Sequence, residues 1–369
     1  MTCSSTPRSL TRWRVTAVAS GGHSGIRASA SVGSFRRRSP CRSGSRGPST
    51  ATSRTCCRIG CPTRRSTLLN SPLAWTLERG LSLSSGYGVQ VPTGNRMIGT
   101  LVHAVVEHLV RTGAVADDAV PSPQMIARTF EQFVPRFASE LLLPGQSSRH
   151  NALRTTTIGS LTRLFTALRD RGVRITGAET EFIEPFTLTI GGMRHDSELR
   201  GFRDLDGETT DGRRAVLDLK WTFSTTRYRR MVTDGEAVQL SVYGQVVGTS
   251  GGGEPPLTAF YMLKQGQFVS ADRDLDPDSQ AEGDPAHLWP RIQRSVEHAL
   301  TGLSTGRFEA LAADAYLETG TLLGGEKKPY KDAIAAISDD AAVDGRLFID
   351  ANQAYSDFTL IYGLTGDYS

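Results

Sequence analysis

Hydrophobic positions follow a helical spacing in the first half of the chain and a strand spacing in the second. Over Ile98–Thr112, apolar residues recur every three or four positions, and Gly113 follows as a helix-ending glycine. From Ile175 onward the period falls to two, which is typical of strands. The patterns predict helices over Ser71–Glu78, Ile98–Thr112, Ser122–Leu143, Arg149–Arg171, Glu236–Val247 and Leu288–Leu303, and strands over Ile175–Phe182, Phe186–Ile190, Glu198–Leu205, Ala215–Trp221, Leu257–Leu263 and Gln267–Ser270.

The order of these elements predicts the fold class. Helices come first, followed by a β-meander, one helix, two more strands and a last helix, which indicates an α/β or α+β fold. We therefore expect a mixed β-sheet core that is flanked by helices and has a helical N-terminal part. The polar segment Asp206–Gly212 is predicted to be the loop of a hairpin within this sheet.

Residues 1–65 differ from the rest of the chain in composition. They hold 13 of the 42 basic residues, all of them Arg, together with all five Cys and no Asp or Glu. The segment therefore carries +13, whereas residues 66–369, with 29 basic and 38 acidic residues, carry −9. We predict a disordered or mistranslated Arg/Ser-rich tail, because so polar a segment cannot form a core. A transit peptide, a nucleic-acid-binding tail and a zinc site at Cys57 and Cys61 are the alternatives.

The composition of residues 66–369 excludes several classes of protein. No apolar run approaches the 18 residues that indicate a membrane span, so we expect no association with a membrane. The absence of Cys from this part excludes a disulfide scaffold and an iron–sulfur cluster. No Gly-x4-Gly-Lys-Ser/Thr motif occurs, so the chain is not itself an ATP-driven helicase. We predict one domain over residues 66–315 and a weakly patterned C-terminal extension over 316–369.

Two neighbouring predicted strands carry charges among apolar residues. Asp218 and Lys220 are two positions apart, so both side chains point to the same face of their strand. Burying such a pair is costly unless it serves a site, and a surface salt bridge on an edge strand is the alternative. Pairing across the hairpin would bring Asp204 close to Asp218, and two adjacent carboxylates favour a bound Mg²⁺ or Mn²⁺. With Lys220 to hold a water molecule or to neutralise a phosphate, these residues predict metal-assisted phosphodiester hydrolysis.

Two further pairs on predicted helices are weak signals when taken alone. His103 and Glu107 are four residues apart, as are Gln239 and Tyr243, and each spacing is common on ordinary amphipathic helices. Taken in order along the chain, however, the motifs resemble those of the PD-(D/E)XK nuclease superfamily, and within it the RecB-like nuclease domain of AddAB-type helicase–nuclease subunits. The residues that carry this resemblance are His103, Gly201 with Asp204, Asp218 with Lys220, and Gln239 with Tyr243.

The resemblance covers residues 66–270 and implies a restriction-endonuclease-like core with a metal site. An additional acid from the strand before Gly201 would be Glu179 or Glu181, and the sequence does not decide between them. Many relatives hold an iron–sulfur cluster with four cysteines, which this domain lacks. The implied ligands of Mg²⁺ or Mn²⁺ are His103, Asp204, Asp218 and the backbone carbonyl of Leu219.

The resemblance also implies an activity and partners. Lys220 would orient the attacking water, and Gln239 and Tyr243 would position the DNA backbone or support the lysine. The expected protein is a Mg²⁺-dependent DNA exonuclease of the bacterial cytoplasm that acts in repair and recombination, with a helicase subunit or domain as a candidate partner.

One alternative belongs to a different class of function. It is a non-catalytic nuclease-like module that docks on a helicase partner or on DNA, and the −9 charge of residues 66–369 mildly favours it. Three basic residues, Arg227, Arg229 and Arg230, form either a phosphate-contact patch or a solvated loop.

Overall fold

The structure is a computed structural model that describes most of the predicted domain. Described are residues 68–69, 71–81, 83, 94–249, 254–279, 288–307, 335 and 338–349, with three strand segments at 16–18, 27–29 and 58–59. Residues 16–18 pair with 27–29, and 58–59 pair with 198–199. The rest of the predicted Arg/Ser-rich tail and most of the predicted C-terminal extension lie outside the described residues.

The described helices are held by buried apolar stripes and by side-chain caps. Ser71 and Ser122 begin helices whose first residue is proline, and each serine oxygen accepts a backbone N–H at 3.2 Å. The helices are α1 (Pro72–Trp75, continued by a π-helical turn over Thr76–Gly80), α2 (Gly94–Arg111), α3 (Pro123–Phe137), α4 (Ser147–Asp170), α5 (Thr225–Thr233), α6 (Val238–Thr249) and α7 (Leu288–Ser304).

Five strands form the body of the mixed sheet, in the spatial order β1-β2-β3-β4-β5, and residues 58–59 add a short sixth strand beside β2. The pairs β1/β2, β2/β3 and β4/β5 are antiparallel, whereas β3/β4 is parallel and is connected through α5 and α6. This mixed sheet between helices confirms the predicted fold class. The strands are β1 (Val173–Ile190), β2 (Met193–Thr209), β3 (Arg214–Lys220), β4 (Leu257–Met262) and β5 (Gln267–Ser270).

Strand β3 sends alternate side chains into two different cores. Leu217 and Leu219 pack in a cluster with the apolar stripes of α2, α3 and α4. Val216 packs in a second cluster with residues of α6 and α7. Because successive side chains of a strand point to opposite faces, Asp218 and Lys220 share the face of Val216, toward α6.

The first two strands are longer than the sequence pattern predicted. The predicted break between Phe182 and Phe186 is wrong, because β1 continues through it with Pro185 opposite Glu198. Among the described strands β1 pairs only with β2, and a residue without an N–H group is tolerated on such an edge strand. Strand β2 likewise continues through Thr209, so the predicted hairpin loop is reduced to a turn at residues 210–213.

Two helical predictions also need correction. The helix predicted over Ser122–Leu143 ends at Phe137, and a separate 3-10 turn covers Ser139–Leu142. Helix α5 was not predicted. It contains no fully buried residue, and the two apolar residues that pack against the sheet, Tyr228 and Val232, stand among basic and polar residues. Within the described part of the chain, no helix has the length and apolarity that crossing a membrane requires.

A buried ion pair joins two residues of β2 beside the predicted site. Arg203 Nε and Nη2 donate to the two carboxylate oxygens of Asp206 at 2.6 and 3.0 Å, and both residues are buried. We expect Arg203→Met to lower the free energy of unfolding by about 3–5 kcal/mol, because the Asp206 carboxylate would lose its buried partner. Denaturant titration measures the loss. The exposed pair Arg174–Glu208 (3.0 Å) offers a control, since Arg174→Met should cost less than about 1 kcal/mol. Equal losses in the two variants would contradict this role.

Candidate active site

The two carboxylates on β2 and β3 lie opposite each other where the strands separate. The antiparallel register pairs Leu205 with Leu217, and its continuation sets Asp204 against Asp218. The backbone ladder ends at the Leu205–Leu217 pair. Beyond it, the N–H of Leu219 donates to Asp204 Oδ2 at 2.7 Å. A side-chain oxygen thus takes the place of a strand partner, and the sheet opens at the two acids.

His103 reaches this opening from α2. Its Nδ1 lies 3.0 Å from Glu179 Oε1, and its Nε2 lies 3.1 Å from the carbonyl oxygen of Leu219 and 3.7 Å from Asp204 Oδ2. Ligand atoms of His103, Glu179 and Asp204 all lie within 4.8 Å of one another, and among the described residues this is the one group of such side chains that could hold a metal ion.

The backbone of β1 places Glu179, and not Glu181, in this group. The β1/β2 register shifts by one residue between Ile175 and Gly177, and Glu179 itself adopts a left-handed φ of 48°. This conformation is strained for a residue other than glycine, and such strain is concentrated at functional sites. Glu181 pairs regularly with Phe202 and is exposed. Of the two acids that the sequence left open, Glu179 is therefore the one beside the histidine.

Lys220 lies on the other side of the two acids. Its Nζ is 2.5 Å from Asp218 Oδ2 and donates to Gln239 Oε1 at 3.2 Å. The Asp218 side chain is fully buried, whereas about a fifth of the Lys220 side chain is exposed. Burial favours the neutral amine, but the Asp218 carboxylate outweighs burial and raises the pKa of Lys220. Lys220 is therefore an ammonium group whose tip faces the opening of the site.

Gln239 and Tyr243 connect this lysine to β2. Gln239 Nε2 donates to the Tyr243 hydroxyl at 3.0 Å, and that hydroxyl donates to the carbonyl oxygen of Phe202 at 2.9 Å. The Tyr243 side chain is only 1% exposed. A buried hydroxyl cannot reach a DNA backbone, so its geometry favours support of Lys220 over contact with DNA.

A comparison with protein families identifies the family of the domain that carries this site. The model of the PD-(D/E)XK nuclease superfamily matches residues 61–315, which are 255 of the 369 residues. The chain belongs to the PD-(D/E)XK nuclease superfamily. Its members are generally nucleases, and they typically use divalent metal ions. A search of curated proteins gave no match.

The electrostatics of the candidate site fit a bound cation. Burial and the nearby Asp218 carboxylate raise the pKa of Asp204 to about 7, against the opposing effect of His103 and Lys220. Burial lowers the pKa of His103, but the carboxylates of Asp204 and Glu179 outweigh it and raise that pKa to about 9. Carboxylate oxygens and a backbone carbonyl suit a hard divalent ion, and the imidazole nitrogen adds a borderline donor. The donor set thus fits Mg²⁺ or Mn²⁺.

The three arginines after this nuclease site lie on helix α5 and not on a loop. Arg229 Nη1 lies 3.4 Å from Asp276 Oδ2, and Arg230 Nε lies 3.0 Å from Asp234 Oδ2. Arg227 is exposed and forms no ion pair with a described residue. Of the predicted phosphate-contact patch, only Arg227 therefore keeps its charge uncompensated within the described part of the chain.

We expect Mg²⁺ or Mn²⁺ to raise the Tm of the protein, because an ion that binds only the folded state stabilises it by about 2.7 kcal/mol at 100 times its Kd. The shift should disappear in Glu179→Gln and in Asp204→Asn, which remove ligand charge. Thermal denaturation with the ion and with EDTA measures it.

Glu181→Gln is the matched control for this experiment. It removes the same charge two residues along β1 but outside the ligand group, so the full metal-dependent shift should remain. A wild-type protein without any shift would contradict the metal site. Equal losses in Glu179→Gln and Glu181→Gln would contradict the choice of Glu179.

Proposed function

We propose that the chain is a Mg²⁺- or Mn²⁺-dependent deoxyribonuclease of the RecB-like type, which degrades DNA from its ends in repair and recombination. The observation that carries this proposal is the convergence of Asp204, Asp218 and Lys220 at the open end of the β2/β3 ladder. Two carboxylates that lie opposite each other, with an ammonium group beside them, provide the groups that metal-assisted phosphodiester hydrolysis needs.

The proposed ligands surround this opening. When bound, a divalent ion would stabilise negative charge on the phosphate and make a water molecule more acidic. Asp218 would complete the ligand set from the lysine side, where its carboxylate lies against Lys220. The remaining ligands are His103, Glu179, Asp204 and the carbonyl oxygen of Leu219.

We propose that Lys220 orients the attacking water. Its Nζ is held between Asp218 and Gln239, so its remaining hydrogen can be donated to a water molecule or to a phosphate oxygen. The water oxygen bonds to phosphorus while the bond to the 3′-oxygen breaks. The water proton passes to solvent and the 3′-oxygen takes up a proton, which leaves a 5′-phosphate and a 3′-hydroxyl.

Two features support the finer parts of the proposal. The pair Gln239–Tyr243 is the motif that relates this chain to RecB-like domains, and its hydrogen bonds end on the proposed catalytic lysine. The charge of −9 over residues 66–369 opposes autonomous attraction to DNA. A helicase subunit or domain that delivers the DNA strand would remove that obstacle, and we propose one as the partner.

We expect the purified chain to release nucleotides from linear DNA in Mg²⁺ and to leave covalently closed circles intact. Asp218→Asn and Lys220→Met should each lower the rate at least about 100-fold, as expected when a preorganised electrostatic group is lost. Arg174→Met, an exposed change on β1, is the control and should keep full activity. Equal rates in all variants would mean a contaminant. Metal binding without cleavage of any DNA would favour the non-catalytic module.

Gln239→Ala and Tyr243→Phe should lower kcat with little change in KM, because both side chains act through Lys220 and not on the DNA. Both side chains lie in one hydrogen-bonded chain. The double variant should therefore lose no more activity than the less active of the two single variants. Single-turnover kinetics measure these rates. Multiplicative losses in the double variant would show that the two side chains act independently.

A further inference from the structure

An exposed aromatic ring lies three residues beyond the proposed catalytic lysine. The Phe223 side chain is 74% exposed, and the Lys264 Nζ lies 4.2 Å from the centre of its ring. The same ammonium group lies 5.4 Å from the ring of Trp221, which is buried. We call Trp221, Phe223 and Lys264 the aromatic platform.

The backbone holds this platform in a fixed relation to the active site. The N–H of Leu263 donates to the carbonyl oxygen of Lys220 at 3.0 Å, which ties the residue before Lys264 to the end of β3. The N–H of Thr225 donates to the carbonyl oxygen of Phe223 at 3.0 Å, at the start of α5. Three residues of extended chain span roughly 10 Å, so the ring lies within a few nucleotides of the reacting phosphate.

The cation of the platform is available to a ligand. Within the described part of the chain, the polar contact of the Lys264 ammonium group is Asn95 Oδ1 at 3.5 Å, and no carboxylate lies within salt-bridge distance of it. Isolated exposed apolar residues are common on protein surfaces and carry no argument by themselves. Phe223 differs because it combines an open ring, an adjacent cation without a carboxylate and a position beside the nuclease site.

These features fit an unpaired nucleotide better than a duplex. Proteins bind single strands by stacking bases on aromatic side chains while cations contact the phosphates. In a duplex the faces of the bases are covered by their neighbours, and a base must leave the stack before a side chain can cover its face. A ring that projects from the surface can therefore accept a base from a single strand or from a frayed end.

We propose that Phe223 stacks on an unpaired base of the DNA substrate while Lys264 contacts the adjoining phosphate. The proposal rests on the proposed nuclease function and names two further residues that bind the substrate of that site. Phe223 is a specificity-determining residue in this account and takes no part in the chemistry.

Binding tests the platform without cleavage. Fluorescence anisotropy compares a labelled oligothymidylate with a blunt duplex of equal length, using the Asp218→Asn protein and, separately, the wild-type protein in EDTA. Phe223→Ala should weaken oligothymidylate binding roughly 5- to 100-fold, as the loss of one stacked base does, and leave duplex binding unchanged. Leu143→Ala, at another exposed apolar residue (59%), is the control and should change neither.

Two further substitutions of Phe223 distinguish stacking from simple apolar contact. Phe223→Trp keeps a π-face and should retain oligothymidylate binding, whereas Phe223→Leu keeps apolar surface alone and should lose as much as Phe223→Ala. Retention of binding in Phe223→Leu would overturn the proposal and would indicate an apolar surface for a protein partner.

The salt dependence of oligothymidylate binding tests the phosphate contact that we assign to Lys264. Lys264→Met should reduce the slope of log Kd against log salt concentration by about 0.7, the value for one phosphate contact on a single strand. Lys264→Arg should keep the wild-type slope. An unchanged slope in Lys264→Met would overturn the assigned phosphate contact.

The outcomes distinguish the platform from the nuclease function. Absence of oligothymidylate binding in both protein forms, or equal weakening for single strand and duplex, would overturn the platform. If the wild-type protein cleaves no DNA but Phe223→Ala still weakens oligothymidylate binding, the nuclease function fails and the single-strand site stands. If the wild-type protein cleaves DNA and Phe223→Ala changes neither this cleavage nor oligothymidylate binding, only the platform is overturned.

Discussion

The whole site depends on one unfavourable arrangement, in which the partly buried carboxylate of Asp204 lies opposite the fully buried carboxylate of Asp218. The register of β2 against β3 imposes it, and the backbone ladder stops one residue pair earlier. Three groups compensate for the repulsion in the absence of an ion: the cations of His103 and Lys220, and the N–H of Leu219, which donates to Asp204. A divalent cation would neutralise the same charge, so this cluster of like charges fits a metal site.

The sheet distributes the remaining functional groups over its two faces. Successive side chains of β3 point to opposite faces of the sheet. Leu217 and Leu219 therefore pack against α2, while Asp218 and Lys220 point toward α6. The peptide of Leu219 still reaches the site, since its N–H meets Asp204 and its carbonyl oxygen meets His103. Helix α2 thus brings His103 to the site from one face, and α6 brings Gln239 to Lys220 from the other.

The sequence predicted the parts of the site that depend on order and spacing. His103, Asp204, Asp218 and Lys220 lie together as expected, because strand alternation and hairpin pairing are local rules. The choice of Glu179 could not be predicted, because the two glutamates share one strand face and only an irregular backbone with φ at 48° separates them. The continuation of β1 through Pro185 and the exposure of Phe223 depend on sheet position and tertiary packing, which leave no periodic pattern in the sequence. Helix α5 is short and mostly polar, so its few apolar residues give only a weak pattern.

The central claim is that one divalent ion, held by the acids at the end of the β2/β3 ladder, drives DNA hydrolysis. The most direct measurement titrates Mn²⁺ into the protein and records bound ion by electron paramagnetic resonance and the initial rate of DNA cleavage in the same samples. The account predicts that the rate rises in step with occupancy of a site that is absent from Asp204→Asn. Cleavage that persists in EDTA, or a rate that rises while Asp204→Asn binds the ion as well as the wild-type protein does, would contradict it.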